Sequence, residues 1–320
     1  MAYPTPAVTV TTADKFIPEI WSDEIVAAYK KNLVLANIVM KMNFKGKKGD
    51  TIHIPAPTRG SASAKAASTA VTLIADTETE VQVLINKHYE YSRFIEDIVE
   101  AQALNSLRQF YTADAGYALA KQVDTDLIQL GRAFNGATVG TNDYATSNTS
   151  TKAYIGGDGT TAYNSTSSNA SALTDAAIRR TIQRLDDNDT PMDNRFFIIP
   201  PSSRNTLMGL SRYTEQAFVG NGNAIRTGEI GQLYGIPVFT SSNADTGAGN
   251  STTDRICLMG HKDSMVLVEQ VGIRSQTQYK QDYLATLFTS DTLYGVAALR
   301  AAASTGAALS SSAYALAVPA

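Results

Sequence analysis

The chain has 320 residues, of which 43% are hydrophobic and 18% charged, with a formal net charge of -3. That length buries a real core in one large or two modest domains, while the near-neutral charge excludes a strong basic field for sequence-specific nucleic-acid binding. One cysteine, Cys257, excludes an internal disulfide framework and a thiolate zinc cluster; within the apolar run Ile256–Met259 it reads as a small buried hydrophobe.

Taken in chain order, the opening run MAYPTPAVTVTTADKF has no charged segment ahead of an apolar core, so no secretory leader is expected. Residues 1–20 are rich in Thr, Pro and Ala and read as an extended arm that orders only against a neighbour. Ser22 caps a helix with Asp23 and Glu24 in its first turn, running to about Asn32. Lys45–Asp50 is a turn signal. Thr51–Pro55 alternates as a strand, with Pro55 and Pro57 marking an end or an edge. Residues 58–70 have no core-forming pattern, and alternation resumes at Thr79 and continues to Tyr91. Residues 46–92 thus read as a long two-stranded excursion. A lone hairpin is marginal in water, so one this long implies a partner surface.

From Phe94 to Phe134 the pattern is helical, with Glu96, Asp97 and Glu100 where the helix dipole favours acid. Leu119, Val123, Leu127, Leu130 and Phe134 share one face, and Lys121, Gln122 and Asp124 are expected to face away. Such a helix spans about 60 Å. With no sustained heptad it reads as a backbone helix across a flat domain rather than a coiled coil. Residues 135–172 are rich in Gly, Ser, Thr and Asn and read as an exposed insertion.

Thr174 or Asp175 caps a helix through Ile178, Ile182 and Leu185 that ends before Pro191. Arg195–Ile199 is a buried strand. Pro200-Pro201 opens a helix with Ser202 or Ser203 as cap and Leu207, Met208 and Leu210 inside. A turn and a strand follow around Pro237–Phe239, then strands at 255–259 and 264–271. Residues 284–302 alternate and return to the core. The uncharged stretch 301–320 is broken by Ser304, Thr305 and Ser310–Ser312, so no membrane span is expected.

No motif carries catalysis. His53, His88 and His261 match no metal spacing and read as structural. Gly209–Tyr213 lacks the second glycine of a nucleophile elbow. Gly46–Thr51 precedes a strand, not the helix a phosphate loop requires, and Gly220–Asn223 has no dinucleotide frame. Asp186, Asp187 and Asp189 read as a solvated helix end rather than a glycosidase pair. Gly156–Gly159 has no calcium ligand ladder around it. No enzyme, cofactor or metal is expected.

The order of elements is itself specific: loose arm, long hairpin, very long helix, mixed α/β region, returning strands. It resembles the tailed-bacteriophage major capsid proteins of the Hong Kong 97-like fold, an α+β class. Phe16–Trp21 with the 22–32 helix looks like the N-arm of that family, and Gly46–Ile52 like the start of its extended loop. Phe196–Leu210 resembles its axial-domain core, Gly228–Val238 its glycine-proline turn into a strand, and Asp291–Val296 its returning peripheral strand. The resemblance implies an N-terminal arm (1–45), an extended loop (46–92), and a spine helix with part of a peripheral domain (93–172). An axial domain (173–270) and returning peripheral strands with the C-terminus (271–320) complete it. It further implies hexamers and pentamers closing into an icosahedral shell around double-stranded DNA. The virion capsid would be assembled in the bacterial cytoplasm with a scaffolding protein and a portal protein, and decoration or cement proteins are compatible with it.

Exposed extensions give large multi-copy interfaces. Trp21, Ile52, Ile54, Val81, Val83, Tyr89 and Tyr91 are the candidate contacts between subunits. For those of the excursion, packing on the chain's own helix is the alternative. The basic run Lys41, Lys45, Lys47 and Lys48 either touches DNA phosphate or makes salt bridges in a solvated rim. An encapsulin-like shell shares the expected fold, and a surface-layer or adhesin protein would suit the Thr/Ser/Asn content.

Overall fold

The computed structural model describes residues 34–45, 49–55, 62–71, 73, 80–96, 106–132, 153–164, 168–210, 231–244, 254–300 and 312–320. The expected arm, the 22–32 helix, Trp21, Lys47, Lys48, Phe134 and the Gly220–Asn223 loop lie outside the described residues.

The described chain runs α1 (Leu35–Ile38), β1 (Met40–Asn43), β2 (Thr51–Pro55), β3 (Glu80–Leu84), β4 (Lys87–Glu96) and α2 (Ser106–Arg132). It continues with β5 (Ala153–Ile155), α3 (Asp175–Asp187), β6 (Arg195–Ile199), α4 (Pro201–Met208), β7 (Gln232–Leu233) and β8 (Ile236–Thr240). The last elements are β9 (Arg255–His261), β10 (Met265–Lys280), β11 (Ala285–Ala298) and β12 (Ala313–Val318). They form a four-stranded sheet in the order β1-β10-β11-β4, a six-stranded sheet β5-β12-β9-β6-β8-β7, and the ribbon β2-β3.

The six-stranded sheet is covered on both faces, and its strands accordingly read as unbroken apolar runs rather than alternations. β6 and β12 are buried at every position. One face, with Phe197, Ile199, Cys257, Met259, Leu316 and Val318, packs under α3 and α4. The other carries Phe196, Ile198 and Leu258 into a cluster with Leu127 and Ile128 of α2, Leu35 of α1, and Met265, Leu267 and Tyr294 of the four-stranded sheet. The second half of α2 is thus wedged where both sheets meet.

Local signals account for the helix ends. Thr174 is the N-cap of α3, its Oγ1 accepting from the Ala177 amide at 3.3 Å. In α4, Pro200 takes the cap position and Pro201 the first turn, where a missing N–H costs nothing. Neither Ser202 nor Ser203 is the cap, and Met208 is 38% exposed rather than inside. Cys257 is buried, 3.4 Å from Ser203 Oγ, and burial pushes its thiol up to about 12.

Four expectations need correction. First, Phe94–Glu96 are strand, not helix: β4 alternates through Glu96 and pairs antiparallel with β11 from Tyr294↔Lys87 to Ala285↔Glu96. The acidic residues that suggest a first helical turn begin while the chain is still extended. The helix described has 27 residues, about 40 Å. Second, the excursion does not run on to Tyr91, because the chain leaves the ribbon after Leu84 and enters the four-stranded sheet at Lys87. Third, part of the 135–172 stretch is not exposed insertion. β5 is an edge of the six-stranded sheet, and Tyr163 is fully buried with its hydroxyl donating to Asp254 at 2.9 Å. Fourth, residues 271–320 do not all return to one sheet. β11 joins the four-stranded sheet, whereas β12 inserts between β5 and β9 of the six-stranded one.

Asp124 also departs from expectation. It is fully buried, accepting from the Ala36 amide and from Asn243 Nδ2, each at 3.1 Å. A buried carboxylate is tolerated because donors from two other segments satisfy it.

Gly295 sits where the ribbon root crosses β11; a Cβ there would lie 2.4 Å from the Leu84 carbonyl oxygen. Gly116 of α2 has nothing within 4 Å of its Cβ position. Gly295→Ala is expected to destabilise by about 1–3 kcal/mol through overpacking. Gly116→Ala is expected to be neutral or to stabilise by up to about 1 kcal/mol. Thermal melts of the two variants check the contrast.

Candidate assembly surfaces

The ribbon pairs Ile52 with Val83 and Ile54 with Val81. This apolar face packs on the chain's own sheet, against Val266 and Val268 of β10 with Met40, Met42 and Phe44 alongside. Val83 is fully buried and Val81 is 8% exposed. The expectation that Val81 and Val83 face another subunit is therefore corrected, and Ile52 and Ile54 line the same internal cluster. Alternation identifies which residues share a face, not which surface that face meets. The face left outward is polar. Glu80 Oε1 accepts from Gln82 Nε2 at 2.6 Å, and its Oε2 lies 2.9 Å from His53 Nδ1. The Gln82 hydrogen bond, followed by His53, holds the Glu80 carboxyl below its ordinary range. Leu84, at the ribbon root, is 54% exposed.

Tyr89 and Tyr91 contact the chain's own core, the alternative weighed for them. Tyr89 stacks on Tyr294 with ring centroids 5.9 Å apart. The Tyr91 hydroxyl donates to Asp114 of α2 at 3.1 Å and accepts from Arg93 Nε at 2.6 Å. Burial and then the Asp114 carboxylate push that hydroxyl's pKa up. Of the basic run, Lys41 is exposed on the edge strand β1, and Lys45 Nζ stands 3.8 Å from Glu269.

A buried polar knot anchors the start of β4 and the middle of β11 to α2. Asp126, 4% exposed, receives the Tyr294 hydroxyl at 2.7 Å and Gln122 Nε2 at 3.0 Å, with Lys87 Nζ at 3.1 Å. Burial, followed by Asp126, pushes the Tyr294 hydroxyl far above its ordinary range. Nothing in the pattern of α2 distinguishes Asp126 from a solvated acid; only tertiary placement does. The knot borders a cleft of about 540 Å³ lined by Gln82, Asn86, Lys87, His88 and Asp126 among others. Its lysine and aspartate are paired with each other.

The remaining candidate residues are held in local hydrogen bonds and ion pairs. His88 Nε2 lies 3.2 Å from Asp291, which Arg274 grips with two hydrogen bonds of 2.8 Å. His261 Nδ1 accepts from the Asp263 amide, and burial lowers its pKa. Asp186 is not merely solvated: it takes Arg195 Nη2, a buried guanidinium, at 2.7 Å. Asp158 is occupied by its own loop, accepting from Thr160 N, Thr161 N and Thr161 Oγ1. Burial raises its pKa, and these hydrogen bonds outweigh that and leave it lowered. Among the described residues no group of three or more His, Cys, Asp or Glu is placed to hold a metal ion. Nor is any described helix long and apolar enough to cross a membrane.

What the geometry presents is surface. β10 is 16 residues, roughly 53 Å, and from Ile273 to Tyr279 every residue is exposed on both faces of the sheet. A family model described as phage capsid protein matches residues 21–305. The chain belongs to the phage capsid protein family. Solved structures share its α+β fold. One from Mycobacterium phage Che8 is 21% identical with a TM-score of 0.71, covering 94% of this chain and 97% of its own. The capsid of cyanophage P-SCSP1u is 20% identical with a TM-score of 0.71, covering 95% and 93%. The capsid of a native GTA particle is 11% identical with a TM-score of 0.66, covering 99% and 100%. Among curated protein sequences none matches.

Two measurements test the anchoring network. Lys87→Met strands the Asp126 charge in the interior and is expected to cost about 3 kcal/mol or more. Adding Asp126→Asn is expected to recover much of that loss in a denaturant titration. The second concerns acid. Arg274, then His88, lowers the folded-state pKa of Asp291 below its unfolded value. Its contribution is therefore complete above the ordinary carboxylate range and lost as pH falls through the folded pKa. Asp291→Asn is expected to flatten the acid limb of stability from the ordinary carboxylate range downward. The effect is small because Arg274 is 56% exposed.

Proposed function

We propose that this chain is the major capsid subunit of a tailed phage, arranged as hexamers and pentamers in an icosahedral shell that encloses double-stranded DNA. The observation that carries this reading is the family match over residues 21–305, most of the chain. The fold likeness to phage and GTA capsids supports it. So does the physical form: a ribbon and a long sheet that present faces no described part of the chain covers. The role is structural rather than catalytic. Assembly takes place in the host cytoplasm with a separate scaffolding protein and a portal protein, and with cement proteins where the shell carries them.

In this reading the ribbon's polar face, with His53, Glu80 and Gln82 and the exposed Leu84, lies toward a neighbouring subunit. Tyr89 and Tyr91 stiffen the sheet beneath it. Trp21 contributes from the arm. Lys41, Lys45, Lys47 and Lys48 make rim salt bridges or weak phosphate contacts.

Expression of the full chain with and without a scaffolding protein, followed by sedimentation and electron microscopy, tests this. Closed shells of uniform diameter that package DNA are expected. A stable small monomer under every assembly condition overturns the shell reading, and shells holding an enzyme cargo instead of DNA favour an encapsulin-like role.

A further inference from the structure

The chain passes between its two larger sheets at one crowded point. β9 belongs to the six-stranded sheet and β10 to the four-stranded one, and only the 3-10 turn Lys262–Ser264 separates them. The passage from β11 to β12 leaves and returns at the same turn. The Ser264 carbonyl accepts the Leu299 and Arg300 amides at 2.9 and 3.3 Å, and the His261 amide donates to the Ser312 carbonyl at 2.9 Å. Ser312 Oγ in turn donates to the Arg300 carbonyl at 3.3 Å. The Lys262 amide donates to the carbonyl of Asn194, just before β6, at 3.1 Å. The sheets also meet through apolar side chains, Phe196, Ile198 and Leu258 against Met265, Leu267 and Tyr294. Such contact is non-directional, so the directional restraint at this seam comes from the hydrogen-bonded turn.

A titratable residue caps that turn. His261 is 7% exposed, and its Nδ1 accepts from the Asp263 amide at 3.2 Å. A ring nitrogen accepts only while it is unprotonated. Protonation sets one N–H against another, and the cap is lost. Charged groups face the ring from several elements. Arg195 of β6 pairs in register with His261, and Arg300 follows β11. On the turn itself, an Asp263 carboxylate oxygen stands 3.9 Å from Nδ1, and Lys262 is exposed. β12 brings only Ser312 and Ala313, neither of which titrates. Burial holds the His261 pKa below its ordinary value; Arg300 and Arg195 add to that, and Asp263 and a hydrogen bond to the Asp193 backbone oppose it. The closed turn is therefore favoured in full above the ordinary histidine range. That contribution is lost as pH falls through the range toward the folded pKa. A second feature weakens the closed state. Ser264 is fully buried, and its hydroxyl has no hydrogen-bond partner among the described residues, a penalty that opening relieves.

We propose that the His261–Ser264 turn is an acid-opened joint. Closed, it ties the two sheets together; with His261 protonated, it releases the β9–β10 and β11–β12 passages and lets the sheets change their angle. The inference concerns the subunit itself and goes beyond its place in a shell.

Residue-resolved hydrogen exchange on the full chain, corrected for the intrinsic pH dependence of exchange, tests it. In the wild type, protection of the His261, Asp263, Leu299 and Arg300 amides is expected to fall about tenfold or more between about pH 7.5 and about pH 5.5. The interior of β6 should stay protected throughout. His261→Asn keeps a capping acceptor that does not titrate, so its joint should remain protected at both pH values. Equal protection of the wild-type joint at both pH values overturns the proposal, and that arm needs no variant. Loss confined to the Asp263 amide, with Leu299 and Arg300 still protected, also overturns it, because it marks a frayed cap and not a joint. So does an acid-dependent loss that persists in folded His261→Asn.

Discussion

The structure depends on how the second half of α2 is buried. Leu127 and Ile128 meet strands of both sheets within one buried cluster, so one helical segment joins the two. That position leaves no outward face for the two acids that precede the apolar pair. Asp124 and Asp126 must be neutralised or hydrogen-bonded in place. Asp124 is held by the amide of Ala36 and by Asn243, Asp126 by Lys87, Tyr294 and Gln122. Each partner outside α2 belongs to a different stretch of chain. The helix therefore fixes where β4 starts, where α1 lies and how β11 sits across it.

With that junction rigid, the rest of the molecule can afford to be extended. β10 and β11 reach well past the core, and their distal halves owe their order to each other and to β4 rather than to a hydrophobic interior. The ribbon spends its apolar face on Val266 and Val268 and offers its polar one. A subunit built this way has a stable centre and periphery whose surfaces are available for repeated contact, as a capsid protein requires.

Much of this was legible in the sequence. The Thr174 cap, the buried run Arg195–Ile199, the Pro-Pro start of α4 and the β9 and β10 strands follow from local pattern. The element order carried the family. What failed did so for physical reasons. β12 is Ala-Tyr-Ala-Leu-Ala-Val, too small and too uniform to signal a strand buried on both faces. Tyr163 lies among Gly, Thr and Asn, and its burial rests on residues distant in sequence, Ile256, Ala315 and Ala317 around it and Asp254 at its hydroxyl. Asp124 reads as solvated because helical periodicity assigns polar residues outward unless something else satisfies them. Among the surface candidates, alternation paired Ile52 with Val83 correctly, yet it could not say that their shared face turns inward.

β12 has a temporal consequence. It is the last strand in chain order, yet it lies inside the six-stranded sheet, between β5 and β9. While the polypeptide is still emerging from the ribosome, β9 has a bare edge and β5 has no neighbour to dock on. Synthesis proceeds at roughly 5–20 residues per second, so the incomplete subunit persists for seconds with this half of its architecture open. Of the two sheets, this one alone waits for residues 313–318 before β5 and β9 are joined.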